Sequence, residues 1–309
     1  MTNRRFEARR FDGRVAVITG GGRGLGREYA LLLARLGARV VVNDNGSAMS
    51  GDGADTSVAQ QLVDEIKAAG GEATANTASV ATPEGGGAIV QTALDAYGRI
   101  DVLIHNAGNS RFNPLATITL EEFRSLIDVH LMGAFHVVQP AFAAMVKAGY
   151  GRVVLAGSIG GLYTMPQTVH YAMSKSSMIG LNNAIAIEGA EHGVKSNVVL
   201  PGALTRMAEG LDTSSYPDMR PELVAPLVAY LCHESCAVTA ELYASVAGRI
   251  ARAFITETRG VHQPEWTIDQ VADRLAEIRD RSHEWTFHPA ENGFVEHLMK
   301  SFAMARGEL

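Results

Sequence analysis

Short apolar runs alternate along the chain with longer stretches in which apolar residues recur every three or four positions. Short runs bounded by glycine or polar residues predict buried strands, and the three-to-four spacing predicts amphipathic helices. Strands are predicted at residues 14–19, 39–43, 72–77, 100–105, 151–157 and 195–200. Helices are predicted ahead of Gly37 and at residues 56–69, 84–97, 119–147 and 169–189. This alternation predicts an α/β fold with a single Rossmann-like, doubly wound parallel sheet and helices on both faces.

After about residue 250 the chain carries two further stretches with helical spacing. An amphipathic helix is predicted over residues 266–281, with Ile268, Val271, Leu275 and Ile278 on one face. A second apolar helix is predicted around residues 294–302. We therefore expect residues 1–250 to form the catalytic domain. Residues 251–309 are expected to be a C-terminal helical extension that packs on that domain or on a partner subunit.

Glycines cluster directly after the first predicted strand, in the string Gly-Gly-Gly-Arg-Gly-Leu-Gly of residues 20–26. Glycines permit a tight turn and let backbone N–H groups reach a pyrophosphate at the positive end of the following helix. The next strand ends at Asp44, whose carboxylate can accept hydrogen bonds from ribose hydroxyls and would repel a 2′-phosphate. Arg23 within the turn could instead pair with such a phosphate. We give Asp44 more weight, which favours NAD over NADP.

Tyr171 and Lys175 stand four residues apart, so that a helix would place both on one face, with Ser158 thirteen residues upstream. A nearby ammonium can lower the pKa of a phenol, and a serine hydroxyl can hold the oxygen that gains or loses a proton. Together they would make a proton-transfer site for an alcohol or a carbonyl. A solvated pair on an ordinary helix is the alternative, so the case depends on the predicted dinucleotide site.

These motifs, in this order, resemble the short-chain dehydrogenase/reductase family over about residues 10–250. Thr19 with the glycines, Asn106-Ala107-Gly108 after the fourth strand, and the serine, tyrosine and lysine all resemble family motifs. The resemblance implies a substrate lid at residues 203–222. It also implies pairing of subunits through the helices at 119–147 and 169–189, hence a homodimer or homotetramer. The cofactor-binding residues that it implies are Gly20, Arg23, Gly24, Leu25, Gly26, Asp44, Ser79, Val80, Asn106, Ala107, Gly108, Tyr171, Lys175, Pro201, Gly202 and Thr205.

His130 stands where most family members have a catalytic asparagine. It is a candidate catalytic residue with Ser158, Tyr171 and Lys175. Two alternatives stay open for its side chain: a buried histidine with a satisfied hydrogen bond, and a direct proton role. The string Asp-Val-His-Leu at residues 128–131 resembles the dehydrogenase unit of peroxisomal multifunctional enzymes. That subgroup implies NAD-dependent oxidation of (3R)-3-hydroxyacyl-CoA to 3-ketoacyl-CoA, including thioesters that carry a steroid nucleus, and so a role in lipid or steroid metabolism.

Two alternative functions remain. The same proton relay would serve a dehydrogenase of free hydroxysteroids or other bulky secondary alcohols. A catalytically idle NAD-binding sensor or scaffold is the alternative from another class, and the intact serine, tyrosine and lysine weigh against it.

Composition serves only to argue against certain partners and sites. The chain has 309 residues, is 47% hydrophobic and 19% charged, and carries a formal net charge of −6, which argues against a nucleic-acid partner. No run of about 18 consecutive apolar residues predicts a membrane span. Cys232 and Cys236 are too few for a zinc site, so no metal is expected. Without an apolar leader near residue 1, a cytoplasmic enzyme with a small-molecule substrate is expected.

Overall fold

The computed structural model describes residues 9–206, 212–290 and 293–309. It divides into two compact units, Met1–Arg252 and Ala253–Leu309. This division lies two residues from the boundary expected from the hydrophobic pattern.

An eight-stranded sheet forms the centre of the first unit. Its strands are β1 (Val15–Thr19), β2 (Arg39–Asn43), β3 (Glu72–Asn76), β4 (Val102–His105), β5 (Gly151–Ala156), β6 (Val194–Gly202), β7 (Glu241–Val246) and β8 (Arg249–Ala253). They lie in the order β3-β2-β1-β4-β5-β6-β7-β8. Neighbours from β3 through β7 all pair in parallel. The predicted α/β fold is confirmed, and the order reverses between β1 and β4, where such folds place ligands.

Helices cover both faces of this sheet. They are α1 (Gly24–Arg35), α2 (Ser57–Ala68), α3 (Pro83–Tyr97), α4 (Leu120–Ile127), α5 (Gly133–Ala148), α6 (Ile159–Leu162), α7 (Val169–Glu188) and α8 (Ala225–Cys232). On one face, α1, α2 and α8 share a buried cluster with Ala16 and Ile18 of β1. Val15 and Val17 point to the opposite face and are equally buried. Burial on both faces explains why β1 reads as an unbroken apolar run.

The helix predicted over residues 119–147 contains an irregular turn. A π-helical turn at Asp128–Met132 joins α4 to α5 and carries the buried His130. By length and composition alone, Leu120–Ala148 is the one span among the described residues that could cross a membrane. Its apolar character also suits a core helix, because α5 buries Val137, Ala141 and Met145.

The second unit holds mostly short elements. A two-stranded antiparallel sheet pairs β9 (Glu257–Thr258) with β10 (Glu284–Trp285). The helices are α9 (Ile268–Asp273), α10 (Leu275–Ile278) and α11 (Gly293–Ala305). The prediction of one helix over residues 266–281 is therefore wrong. Ile268 is 89% exposed, so the predicted apolar face gains little of the packing that stabilises a longer helix.

Candidate active site

The turn between β1 and α1 depends on glycine. Gly20 and Gly24 have φ values of +60° and +52°, a region that side chains with a Cβ rarely adopt. A Cβ at Gly26 would lie 2.1 Å from the Gly20 carbonyl oxygen. The backbone can therefore pack closely at the start of α1, where N–H groups are available to a pyrophosphate.

Asp44 directly follows β2 and is held by the backbone. Its carboxylate accepts hydrogen bonds from the N–H groups of Gly22 at 3.0 Å and Gly46 at 2.8 Å. Arg23 reaches the Ser47 carbonyl oxygen at 3.4 Å, a long contact. Asp44 and Arg23, which have opposing preferences for a 2′-phosphate, both line the same cleft.

The Thr19 hydroxyl ties the ends of β1 and β4 together. It accepts hydrogen bonds from the N–H groups of Asn106 and Ala107, each at 3.1 Å, and lies 3.1 Å from His105 Nδ1. Because the oxygen accepts twice, its proton is directed to His105 Nδ1. Burial lowers the pKa of His105 to about 3, which keeps this imidazole neutral. The Asn106 amide donates to the Gly20 carbonyl at 3.0 Å and anchors the glycine turn.

A cleft of about 290 Å³ opens along these strand ends. Its position fits a dinucleotide bound across the point where strand order reverses. Five other residues predicted to bind cofactor do not line it. Gly26 lies within α1, Pro201 and Gly202 end β6, and Tyr171 and Lys175 lie on α7. The predicted cofactor residues that line the cleft are Gly20, Arg23, Gly24, Leu25, Asp44, Ser79, Val80, Asn106, Ala107, Gly108 and Thr205.

Sequence reasoning missed a loop, residues 45–55, that borders the cleft. Arg111 holds it, donating to both Asp52 carboxylate oxygens at 3.0 and 3.1 Å and to the Ser50 carbonyl at 2.9 Å. These partners lie 59 to 61 positions apart along the chain, so no local signal pointed to them. The loop residues that line the cleft are Asn45, Ser47, Ala48, Met49 and Gly51.

Ser158, Tyr171 and Lys175 meet beside the cleft. Ser158 precedes α6, and its hydroxyl accepts a hydrogen bond from the Gly160 N–H at 3.0 Å. Tyr171 and Lys175 lie one turn apart on α7, with Lys175 Nζ 5.9 Å from the tyrosine ring centre. Burial raises the pKa of Tyr171, and its hydrogen bond with Ser158 acts in the opposite direction. In the cofactor-free protein burial therefore has the larger effect on the pKa of this phenol.

Lys175 is buried with a neutral partner. Its ammonium donates to the Ala156 carbonyl at the end of β5, at 2.8 Å. Burial lowers the pKa of Lys175 to about 8, because a buried ammonium loses its hydration. The group is thus charged at neutral pH and able to release its proton in the mildly alkaline range.

Replacing Lys175 by methionine is expected to flatten the pH dependence of stability in the cofactor-free protein. The folded-state pKa of about 8 lies below the ordinary value of 10.5, so the unfolded chain binds more protons between these values. The contribution of Lys175 to the free energy of unfolding therefore increases as the pH rises and decreases as the pH is lowered. Between about pH 7.5 and 9.5 the wild-type free energy of unfolding should gain about 2 kcal/mol relative to the variant.

Urea unfolding of both proteins at the two pH values provides the measurement. Subtracting the variant from the wild type removes the contributions of the other titrating tyrosines and cysteines. Parallel pH profiles would show that the buried ammonium is not destabilised as described.

His130 lies beside Tyr171, with ring centres 5.7 Å apart in an edge-on arrangement. Its Nε2 lies 3.1 Å from the N–H and 2.9 Å from the carbonyl of Asn109. Nδ1 is buried and has no hydrogen-bond partner among the described residues. Burial, and then the charge of Lys175, lower the pKa of His130 well below its usual value. The imidazole is therefore neutral and hydrogen-bonded at one nitrogen, as expected for a buried histidine. Its other nitrogen, Nδ1, has no partner among the described residues, so a direct proton role also stays open.

Several further predictions concern the chain around this site. The described part of the lid, 203–206 and 212–222, includes a hydrogen bond from the Leu204 N–H to the Met219 carbonyl at 2.7 Å. Residues 207–211 lie outside the described residues. Cys232 and Cys236 are free and buried. No cluster of potential metal ligands occurs among residues 9–206, 212–290 and 293–309.

Comparison with known proteins places these features in context. The family model described as short chain dehydrogenase matches residues 14–214. The peroxisomal multifunctional enzyme type 2 of Drosophila melanogaster is 44% identical over 279 residues, covering 88% of this chain and 46% of that protein. Its full-length structure matches with a TM-score of 0.79 and 36% identity, covering 94% of this chain and 50% of that one. The chain thus spans about half the length of this relative.

Two other proteins are also similar. The peroxisomal hydratase-dehydrogenase-epimerase of Saccharomyces cerevisiae is 38% identical over 287 residues, covering 90% of this chain and 32% of that protein. A 7α-hydroxysteroid dehydrogenase, solved with NADH and 7-oxo glycochenodeoxycholic acid, matches with a TM-score of 0.70 and 27% identity, covering 77% of this chain and 95% of that one. The resemblance found in the sequence motifs is confirmed.

Proposed function

The chain belongs to the short-chain dehydrogenase/reductase family, and on that premise we propose that it oxidises (3R)-3-hydroxyacyl-CoA to 3-ketoacyl-CoA with NAD. Its family makes it an oxidoreductase acting on CH–OH groups, with NAD(H) or NADP(H) as cofactor. The substrate class rests chiefly on its likeness to a hydratase-dehydrogenase-epimerase over 90% of its length. Hydration of an enoyl thioester places a hydroxyl on the β carbon, which a dehydrogenase can then oxidise.

The chemistry of the proposal follows from the side chains beside the cleft. The hydroxyl proton of the substrate passes to the Tyr171 oxygen, and Ser158 donates a hydrogen bond to the substrate oxygen. Bound NAD supplies the hydride acceptor and a positive charge. Lys175, charged at neutral pH, stabilises the phenolate of Tyr171 from the same face of α7 and contacts the ribose. His130 limits the space beside the tyrosine ring.

NAD is proposed as the cofactor because of Asp44. Two backbone N–H groups hold this carboxylate in place, so it cannot swing away from a 2′-phosphate as an exposed side chain could. The nearby Arg23 is held less firmly, by a long hydrogen bond to the Ser47 carbonyl and by the charge of Asp55. The repulsion between the fixed Asp44 carboxylate and a 2′-phosphate therefore outweighs the attraction that Arg23 could offer.

A homodimer or homotetramer is proposed from the surfaces of the two long helices. Several of their large apolar residues are exposed in the single chain, where pairing with another copy would remove them from water. These are Leu120, Met132, Phe135, Met173 and Ile187.

A dehydrogenase of free hydroxysteroids is the second candidate. The matching structure of a 7α-hydroxysteroid dehydrogenase favours it, and the same proton transfer would serve both substrates. An idle sensor or scaffold is the less favoured alternative, because Ser158, Tyr171 and Lys175 are all present and close together.

The purified chain should be assayed with 3-hydroxyacyl-CoA thioesters of several lengths, the matching free acids and a set of hydroxysteroids. Each is tested with NAD and with NADP, and the absorbance of reduced cofactor is followed. We expect the highest kcat/KM with CoA thioesters and NAD. Turnover restricted to free hydroxysteroids would replace the proposal with the second candidate, and NAD binding without any turnover would favour the sensor.

A further inference from the structure

Helix α7, which carries Tyr171, begins without an ordinary side-chain cap. The Thr168 hydroxyl donates to the Met165 carbonyl at 2.7 Å and does not reach the helix. The first N–H groups of a helix lack intrahelical partners. Here the Tyr171 N–H donates to Nδ1 of the neighbouring His170, at 3.0 Å. The backbone of the proposed proton acceptor is therefore fixed by an imidazole.

This bond determines which atoms donate and which accept in a series of hydrogen bonds that runs from Tyr171 to Glu122. Because Nδ1 of His170 accepts, its proton resides on Nε2, which lies 3.2 Å from Asn113 Oδ1. The other side of that amide, Nδ2, donates to Glu122 Oε1 at 2.8 Å. His170 is fully buried. Burial lowers the pKa of His170 and outweighs the hydrogen bond with the Thr168 backbone and the charge of Glu122, which act in the opposite direction. The net shift favours the neutral form that these contacts require.

The same asparagine also holds the segment ahead of α7. The Asn113 N–H donates to the Gln167 carbonyl at 2.8 Å, and Asn113 pairs with Thr168 in an isolated β-bridge. Thr164 and Gln167 have positive φ values of 50° and 66°. Such conformations cost of order 1 kcal/mol or more each and persist where surrounding contacts impose them.

We propose that Asn113 and His170 are positioning residues for this site. They connect the loop after β4, which begins at the cleft, to the start of the helix that carries Tyr171. Their joint role is to hold the phenol at the height where it meets the substrate hydroxyl. The role in turnover rests on the proposed function, whereas the connection to the Tyr171 backbone does not.

The test uses Asn113→Leu, His170→Leu and the double variant in the full-length chain. Each single change should lower kcat about tenfold or more, since a small misplacement of a reacting group is costly. The NAD dissociation constant should stay within about twofold. Because both residues act through one contact, the double variant should lose little more than the worse single variant. The His170→Gln variant, which keeps an acceptor and a donor, should recover part of the activity.

Two NMR readouts do not depend on turnover. In 15N-labelled wild-type protein, His170 should show the neutral form with the proton on Nε2. Exchange of the Tyr171 amide hydrogen should be at least about tenfold faster in Asn113→Leu than in the wild type. Unchanged exchange in this variant, or kcat retained within about twofold, would overturn the positioning role.

The matched control is Thr74→Val, which removes the side-chain contact of Thr74 with Tyr97 at 3.0 Å, on β3 and α3. It should alter neither kcat nor Tyr171 exchange. If the leucine variants do not fold, His170→Phe, which keeps a ring but lacks the acceptor for the Tyr171 N–H, carries both measurements, and wild-type exchange and kcat in it would contradict the proposal. If the wild type oxidises no alcohol, the proposed function fails, while the NMR readouts still decide the role of Asn113 and His170.

Discussion

Replacing Tyr171 by phenylalanine should lower kcat by about 10³-fold or more, because proton transfer by a positioned side chain contributes up to about 10⁴-fold. The variant loses only the phenolic oxygen, and the ring still packs against His130, whose centre lies 5.7 Å away. NAD should bind with its affinity changed by less than about threefold, since Gly20, Asp44 and the rest of the cleft are untouched. Steady-state turnover and fluorescence titration of the cofactor provide the two measurements.

Tyr163→Phe is the matched control for this experiment. Tyr163 is 78% exposed and belongs to the segment ahead of α7, so it reports the effect of losing a phenolic oxygen near the site. Its kcat should equal that of the wild type. Substantial turnover in Tyr171→Phe would remove the tyrosine from the proton-transfer step and with it the proposed mechanism.

Replacing Gly26 by alanine should weaken NAD binding by about 100-fold or more, because the added methyl forces apart contacts that shape the pyrophosphate turn. The new Cβ would lie 2.1 Å from the Gly20 carbonyl and 2.8 Å from the Asn106 side-chain nitrogen. The first atom belongs to the backbone, so the turn itself must move. Overpacking of this kind also costs about 1–3 kcal/mol of stability. Titration calorimetry with NAD and thermal unfolding measure the two effects.

Gly87→Ala serves as its control. Gly87 lies inside α3, and nothing lies within 4 Å of a Cβ built there. Alanine should leave NAD binding unchanged and stabilise the protein by about 0.4–1 kcal/mol through its better helix propensity. Equal NAD affinity in the two alanine variants would show that the turn tolerates a side chain and that the glycine argument is mistaken.

Much of the fold was predictable because local and tertiary preferences agree in its central elements. In α3, Thr82 caps the first turn, a proline opens the helix, and Gly98 ends it with a φ of +73°. Each of these is a signal that the sequence displays. The glycine turn and Asp44 were also predictable, because a dinucleotide site needs such residues directly after the first and second strands.

The remaining parts depend on contacts that no local pattern displays. The loop at 45–55 borders the cleft because Arg111 holds Asp52 from 59 positions away. The hydrogen bond between His170 and Asn113 joins residues 57 positions apart. The π-helical turn at Asp128–Met132 was hidden because its apolar spacing resembles that of an ordinary helix.

The second unit shows the limit of hydrophobic periodicity. Residues 266–281 have helical spacing, yet they form two helices of six and four residues. Spacing predicts which residues could share a buried face, but a surface must cover that face before a long helix is stable. In α11, Phe294 is 76% exposed and Phe302 is 48% exposed, so the sequence pattern identified the helix and not its burial.

The most direct test of the central claim is the oxidation of paired (3R)- and (3S)-3-hydroxyacyl-CoA by the purified chain with NAD. Both enantiomers have the same acyl chain and CoA group, so a difference in rate reports how the carbinol carbon is presented to Tyr171 and the cofactor. The account predicts NADH formation with the (3R) thioester at a kcat/KM at least about 100-fold above that with the (3S) thioester. Formation of NADH from neither thioester, or from the (3S) thioester alone, would contradict it.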